Sequence, residues 1–214
     1  MGILKNCIKG NKTESTPVWF MRQAGRYLPE FRDIRSKNTN FINLCLNPTL
    51  SKEITIQPLK RFDVDAAIIF SDILFIPYAL GQSVQFEKNF GPRLNEFDHV
   101  SVMSKSDNEI KNKLNFIYEL TKITSKDKIL KNKDLIGFVG ALWTLLVYML
   151  NKKSPKRNLE KDIFDYPYQD ELIDKIIQVQ KIHIKNQVDN GASIIQVFDS
   201  WAGLLDDSKK DKYI

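Results

Sequence analysis

The placement of short apolar runs constrains this chain most. Asp65-Ala-Ala-Ile-Ile-Phe70 carries no alternation of apolar and polar residues, and Leu135-Ile-Gly-Phe-Val139 reads the same way. A half-exposed strand alternates, because successive side chains face opposite ways. A run without alternation is a strand buried on both faces, as in parallel sheets. Ser193-Ile-Ile-Gln-Val-Phe198 is a third strand. The segments between have helical period. Ile110, Leu114, Ile117, Leu120 and Ile123 share one face of a helix over 107–123. A helix is expected from Asn47 toward Phe62, with Pro48 at its first position and Pro58 kinking it or ending it early. A very apolar helix covers 142–150, and a long amphipathic one covers 169–190 and ends at Gly191. A short polar strand is expected at 83–87, then a turn around Gly91-Pro92. Residues 1–35 read as irregular. Strand, helix, strand, helix, strand is the order of an α/β protein with a parallel sheet. No repeat, low-complexity block or boundary divides the chain, which reads as a single domain over 1–214.

Composition excludes several classes. Hydrophobic residues make up 43% of the 214, enough for a core, and no run approaches the roughly 18 apolar residues that span a membrane. The opening MGILKNCIKG lacks the apolar run of a secretory signal, and Asn6 stands where a myristoylation pattern wants Ser or Thr. Cys7 and Cys45 are too few and too scattered for a disulfide scaffold or a zinc site. A soluble protein of the reducing cytoplasm is expected, with no membrane partner. The formal net charge of +6 comes mostly from dispersed lysines, the pattern of solvated faces, and no nucleic-acid motif accompanies it. A nucleic-acid partner is therefore not expected.

The arginines are less ordinary. There are seven, and Arg22, Arg26, Arg32 and Arg35 fall within fourteen residues. The guanidinium fork grips carboxylates and phosphates bidentately, which an ammonium does not. An anionic ligand near residues 22–35 is expected. Polar residues also follow each strand directly: Ser71 and Asp72, then Gly140 with Tyr148 further on, then Asp199 and Ser200. Parallel α/β folds collect ligand-binding groups at these C-terminal strand ends. Each residue has a plainer reading. Asp72 suits a helix cap, Tyr148 a core position, Ser200 a turn, and the arginines an ion-pair network with Glu30 and Asp33.

The segment Pro17-Val-Trp-Phe-Met-Arg-Gln-Ala-Gly-Arg-Tyr-Leu-Pro-Glu-Phe-Arg32 shifts that balance. It resembles the N-terminal signature of the uroporphyrinogen decarboxylase family. Three further blocks resemble that family in order: Ile69-Phe-Ser-Asp-Ile-Leu74, Gly137-Phe-Val-Gly-Ala-Leu-Trp-Thr-Leu145 with Tyr148 and Met149, and Phe198-Asp-Ser-Trp-Ala-Gly203. The resemblance implies a (β/α)8 barrel, usually a homodimer. It implies decarboxylation of the four acetate arms of uroporphyrinogen to give coproporphyrinogen, with neither metal nor organic cofactor. It implies Asp72, Arg22 and Arg26 as catalytic residues, with Arg22 the candidate proton donor. Gln23, Ala24, Gly25, Arg35, Tyr148 and Ser200 would join them in binding substrate, Gly25 through close backbone approach or an unusual dihedral.

Two departures accompany the resemblance. Leu142 stands where the family has Pro, and the family's cleft histidine has no counterpart, since His99 and His183 fall elsewhere. Related methyltransferases lack the Met-Arg-Gln-Ala-Gly-Arg block. About three βα units are legible, whereas a closed barrel needs eight. The chain therefore reads as the N-terminal part of an incomplete barrel. The alternative to an active decarboxylase is a split or truncated fragment that at most binds anionic tetrapyrroles.

Overall fold

The computed structural model describes residues 2–21, 23–25, 27–87, 90–155, 159 and 163–214. In chain order the elements are α1 (Ile3–Ile8), α2 (Pro29–Lys37), α3 (Phe41–Cys45), α4 (Pro48–Arg61), β1 (Ala66–Ile68), α5 (Phe75–Ala79), β2 (Val84–Glu87) and β3 (Gly91–Leu94). They continue with α6 (His99–Ser104), α7 (Asp107–Ser125), β4 (Asp134–Gly140), α8 (Leu142–Asn151), α9 (Gln169–Asp189), β5 (Ile194–Phe198) and α10 (Lys210–Tyr213).

The apolar runs form one sheet in the order β1-β4-β5. β1 and β4 are parallel, with Ala66, Ala67 and Ile68 opposite Asp134, Leu135 and Ile136. Ser193 N–H donates to the Leu135 carbonyl and Ala141 N–H to the Phe198 carbonyl, so β5 runs the same way as β4. Central β4 is buried at every residue, as its unbroken apolar run requires. β5 is half-covered, with Val197 49% exposed. The polar strand at 83–87 is half of an antiparallel hairpin, β2–β3.

Helix ends follow local chemistry. Asn47 caps α4 by accepting the Leu50 N–H at 3.1 Å, and Pro48 follows at the first position. Pro58 does not end α4, which continues to Arg61. So near the C-terminus, the N–H that proline lacks costs only one ladder bond. Gly191 adopts φ +109 beyond α9, and Ala192 N–H reaches back to the Gln187 carbonyl at 3.0 Å, a left-handed stop that favours glycine. Residues 1–35 are not irregular throughout: α1 lies within them and α2 begins there. α2 was hidden because a nine-residue helix shows its buried stripe through only Phe31 and Ile34.

The chain divides into two compact units of interleaved segments. The first comprises Met1–Asp72, Asn115–Phe138 and Ile184–Gln196, the second Ile73–Leu114, Val139–His183 and Val197–Ile214. In the first, Leu28, Phe31, Ile34, Leu44 and Ile54 form a buried cluster against which Ala24, Leu50 and Phe70 pack. α1 docks by donating the Lys5 N–H to Asp134 at 2.9 Å. In the second, α8 is almost wholly buried, and Gln82 fastens the loop before β2 to the carbonyls of Asn95 and Met149. No helix among the described residues is long and apolar enough to cross a membrane.

Candidate active site

The signature segment is held against β1 in the first unit. Asp65 N–H donates to the Val18 carbonyl at 2.8 Å, and Val18 N–H donates to Asp65 Oδ2 at 2.6 Å. Gln23 is buried and donates Nε2–H to the Ala66 carbonyl at 2.8 Å. Its Oε1 is buried without a partner among the described residues. The same side chain lines a cavity of about 210 Å³ with Phe20, Tyr27, Pro58, Phe62 and Val64. Tyr27 closes the turn by donating its hydroxyl to the Gln23 carbonyl, and Leu28 N–H bonds the Gly25 carbonyl at 3.0 Å.

Ala24 packs on the core cluster. Gly25 does not have the positive φ that would mark an unusual dihedral. The constraint there is space, because a Cβ would lie 3.3 Å from the Tyr27 ring. Arg22 and Arg26, expected to carry catalysis, lie outside the described residues.

Glu30 and Asp33 each have a partner outside the arginine cluster. Glu30 is held bidentately by Arg61, at 2.6 and 2.8 Å, and Asp33 by Lys37 at 2.8 Å. The Arg61 bond lowers the Glu30 carboxyl to about 2. Arg35 caps the end of α2 by donating to the carbonyls of Asn38 and Thr39, and its guanidinium lies 5.9 Å over the Phe41 ring.

Asp72 follows β1 and is half-buried. The cap position of α5 is Leu74, without a side-chain capping bond, so Asp72 does not occupy it. The charges of Asp72 and Arg35 both act on the buried thiol of Cys45. Burial pushes that thiol up, the negative charge of Asp72 adds to the rise, and the positive charge of Arg35 opposes it. Ser71 Oγ, next to Asp72, is buried with no hydrogen-bond partner among the described residues. An ionised carboxylate here can accept hydrogen bonds and stabilise a developing positive charge.

In the second unit, α8 begins at Leu142, its first helical residue. That position tolerates leucine and proline alike, because the N–H there has no intrahelical acceptor. Tyr148 is half-buried rather than core, and its ring meets Trp201 edge-on at 5.9 Å. Ser200 is exposed in the turn after β5. Thr144 on α8, which pattern reading passed over, donates to Asp199 at 2.6 Å and accepts the Trp201 N–H at 3.1 Å. Its only sequence signal was a place inside the third signature block.

The uroporphyrinogen decarboxylase family model matches residues 3–214. A uroporphyrinogen decarboxylase from Chelativorans sp. (strain BNC1) is 39% identical over 213 residues, covering 98% of this chain and 62% of its own length. Another from Aliarcobacter butzleri (strain RM4018) is 42% identical over 212 residues, covering 94% and 60%. The chain thus spans about three-fifths of the length of these curated relatives. Among solved structures, a methyltransferase from Methanosarcina mazei superposes with a TM-score of 0.75 over 97% of this chain and 62% of that one. At 18% identity that likeness is one of fold alone.

Proposed function

This chain belongs to the uroporphyrinogen decarboxylase family, and from that premise we propose that it carries decarboxylase machinery for the acetate arms of uroporphyrinogen. One observation carries the reading: the family match runs from residue 3 to residue 214 and spans every residue given a role here. The β1-β4-β5 sheet is read as the first part of a barrel, and the enzyme as a cytoplasmic homodimer.

The chemistry needs an electron sink. Protonating a pyrrole carbon makes the ring cationic. The bond between acetate methylene and carboxyl then breaks, carbon dioxide leaves, and the bonding electrons enter the ring. A proton added to the methylene makes the methyl, and the ring loses the first proton. Asp72, ionised, is proposed to accept pyrrole N–H groups and stabilise the cation as it forms. Arg22 and Arg26 are proposed to grip the reacting carboxylate, with Arg22 the proton donor directly or through a water. An arginine pKa above about 12 makes the relay reasonable. Gln23, Ala24 and Gly25 are proposed to meet the substrate along the segment pinned to β1, and Arg35 to face an outer carboxylate. Tyr148 and Ser200 are proposed to hydrogen-bond further carboxylates.

The test incubates uroporphyrinogen with residues 1–214, alone and with a second polypeptide supplying the remaining length of a family member. Coproporphyrinogen is then measured after oxidation to the fluorescent porphyrin. Product in either arm supports the reading. No product in both, beside an active full-length relative, refutes it. The three-fifths coverage of the relatives favours a second reading, a chain that binds the tetrapyrrole but turns it over only when complemented. Product only in the second arm would select it.

A further inference from the structure

Helix α8 and the turn after β5 meet at a buried threonine and its neighbouring tryptophan. Thr144 is fully buried. A hydroxyl both donates and accepts, and this one does both. It donates to Asp199 Oδ1 at 2.6 Å and accepts the backbone N–H of Trp201 at 3.1 Å. One residue earlier, Trp143 donates its ring N–H to the Trp201 carbonyl at 2.8 Å. The tripeptide Asp199-Ser200-Trp201 is therefore clamped on both sides of Ser200, while Ser200 itself is exposed.

The clamp reaches the second proposed binding hydroxyl as well. Thr144 and Tyr148 are four residues apart on α8, hence on one face of the helix. The Trp201 ring packs edge-on against Tyr148 at 5.9 Å. An exposed turn serine has no fixed position of its own, because few contacts hold it. Asp199 is not a local turn residue here: its hydroxyl partner lies 55 residues away on another element.

Resting on the decarboxylase reading above, we propose that Thr144 and Asp199 are positioning residues, which hold Ser200 at a fixed place beside Tyr148 so that a substrate carboxylate meets both hydroxyls. They touch no substrate and act through the clamp.

The test compares Thr144→Val, Thr144→Ser and Ser200→Ala in residues 1–214, assayed in whichever arm above gives product. KM and kcat for uroporphyrinogen are measured, with hydrogen exchange at the Trp201 amide. Valine keeps the shape and removes both bonds; serine keeps both. Thr144→Val should raise KM about tenfold with kcat changed less than threefold, and speed Trp201 exchange about tenfold. Thr144→Ser should restore both values. Combining Thr144→Val with Ser200→Ala should raise KM no further than the larger single change, because a loosened turn no longer presents Ser200. If Thr144→Val does not fold, Asp199→Ala breaks only one of the two bonds and is read the same way. The proposal is overturned by a parental KM in folded Thr144→Val, by Thr144→Ser as impaired as the valine, or by KM effects that multiply with Ser200→Ala. An active parent with an unaffected Thr144→Val overturns the clamp alone. A parent inert in both arms overturns the decarboxylase reading, and the clamp's substrate role with it, even where Trp201 exchange depends on Thr144.

Discussion

Gly137 lies in the middle of β4, inside the third signature block, and its small size is needed for a specific reason. Gln187 of α9 is fully buried; it accepts the Phe138 N–H at 2.9 Å and donates to the Phe138 carbonyl at 3.0 Å. A Cβ at position 137 would lie 2.4 Å from Gln187 Oε1, 3.0 Å from Ile195 Cδ1 and 3.2 Å from Ala192 Cβ. The amide could not withdraw without breaking both bonds. A buried polar group that loses its partner costs about 1–3 kcal/mol, so Gln187→Ala, which removes both bonds to Phe138, should cost about 2–4 kcal/mol. Gly137→Ala should forfeit much of the same stabilisation, offset by about 0.4–1 kcal/mol because alanine restricts the unfolded chain. A net loss of about 1–3 kcal/mol results. Independent effects would sum to about 3–7 kcal/mol. The double variant should instead cost no more than Gln187→Ala alone, since the obstacle has gone. Urea unfolding followed by far-ultraviolet circular dichroism measures all four proteins. Additivity within about 0.5 kcal/mol would refute the steric argument.

Three further predictions concern chemistry and charge. Asp72→Asn should lower turnover of uroporphyrinogen by about 10²-fold or more, while the unfolding midpoint moves little; equal turnover would remove Asp72 from the mechanism. Glu30 should titrate near 2 by carbon-detected NMR, and Arg61→Ala should return it toward the ordinary 4.5. Because its folded pKa is lowered, the Arg61 contact favours folding above the ordinary value and is lost as pH falls from about 4.5 through about 2; a Glu30 midpoint that ignores Arg61→Ala would show the pair is not formed. His183, buried in α9, is held to about 3 by burial, so its ring proton signals should stay constant from pH 8 to pH 5. The unfolded chain takes up that proton near 6.5 and the folded chain does not, so this histidine disfavours folding progressively as pH drops below 6.5. A midpoint near 6.5 in the folded protein would contradict the burial.

How much of this was legible beforehand depended on range. β1, β4 and α7–α9 could be read from apolar spacing, because strand and helix periods repeat within a few residues. Asn47 and Pro48 marked the start of α4 for the same reason. Short helices were not legible: α3 and α5 have five residues each, too few for a period to register. Of the residues proposed to bind substrate, Asp72 and Ser200 could be picked out by their place after strands, and Arg35 by clustering. Their surroundings could not. Sequence suggested Glu30 and Asp33 as partners for the arginines, yet Glu30 reaches Arg61, 31 residues on.

Sequence alone determined the class of fold, the family and the residues worth testing, because signatures and periodicities are written in neighbouring positions. Only the tertiary structure decided what those residues touch. Gln23 anchors to Ala66 across 43 positions, Gln187 to Phe138 across 49, and Thr144 to Asp199 across 55. A buried polar group must find its partner wherever the folded chain brings one, and no local pattern records where that is.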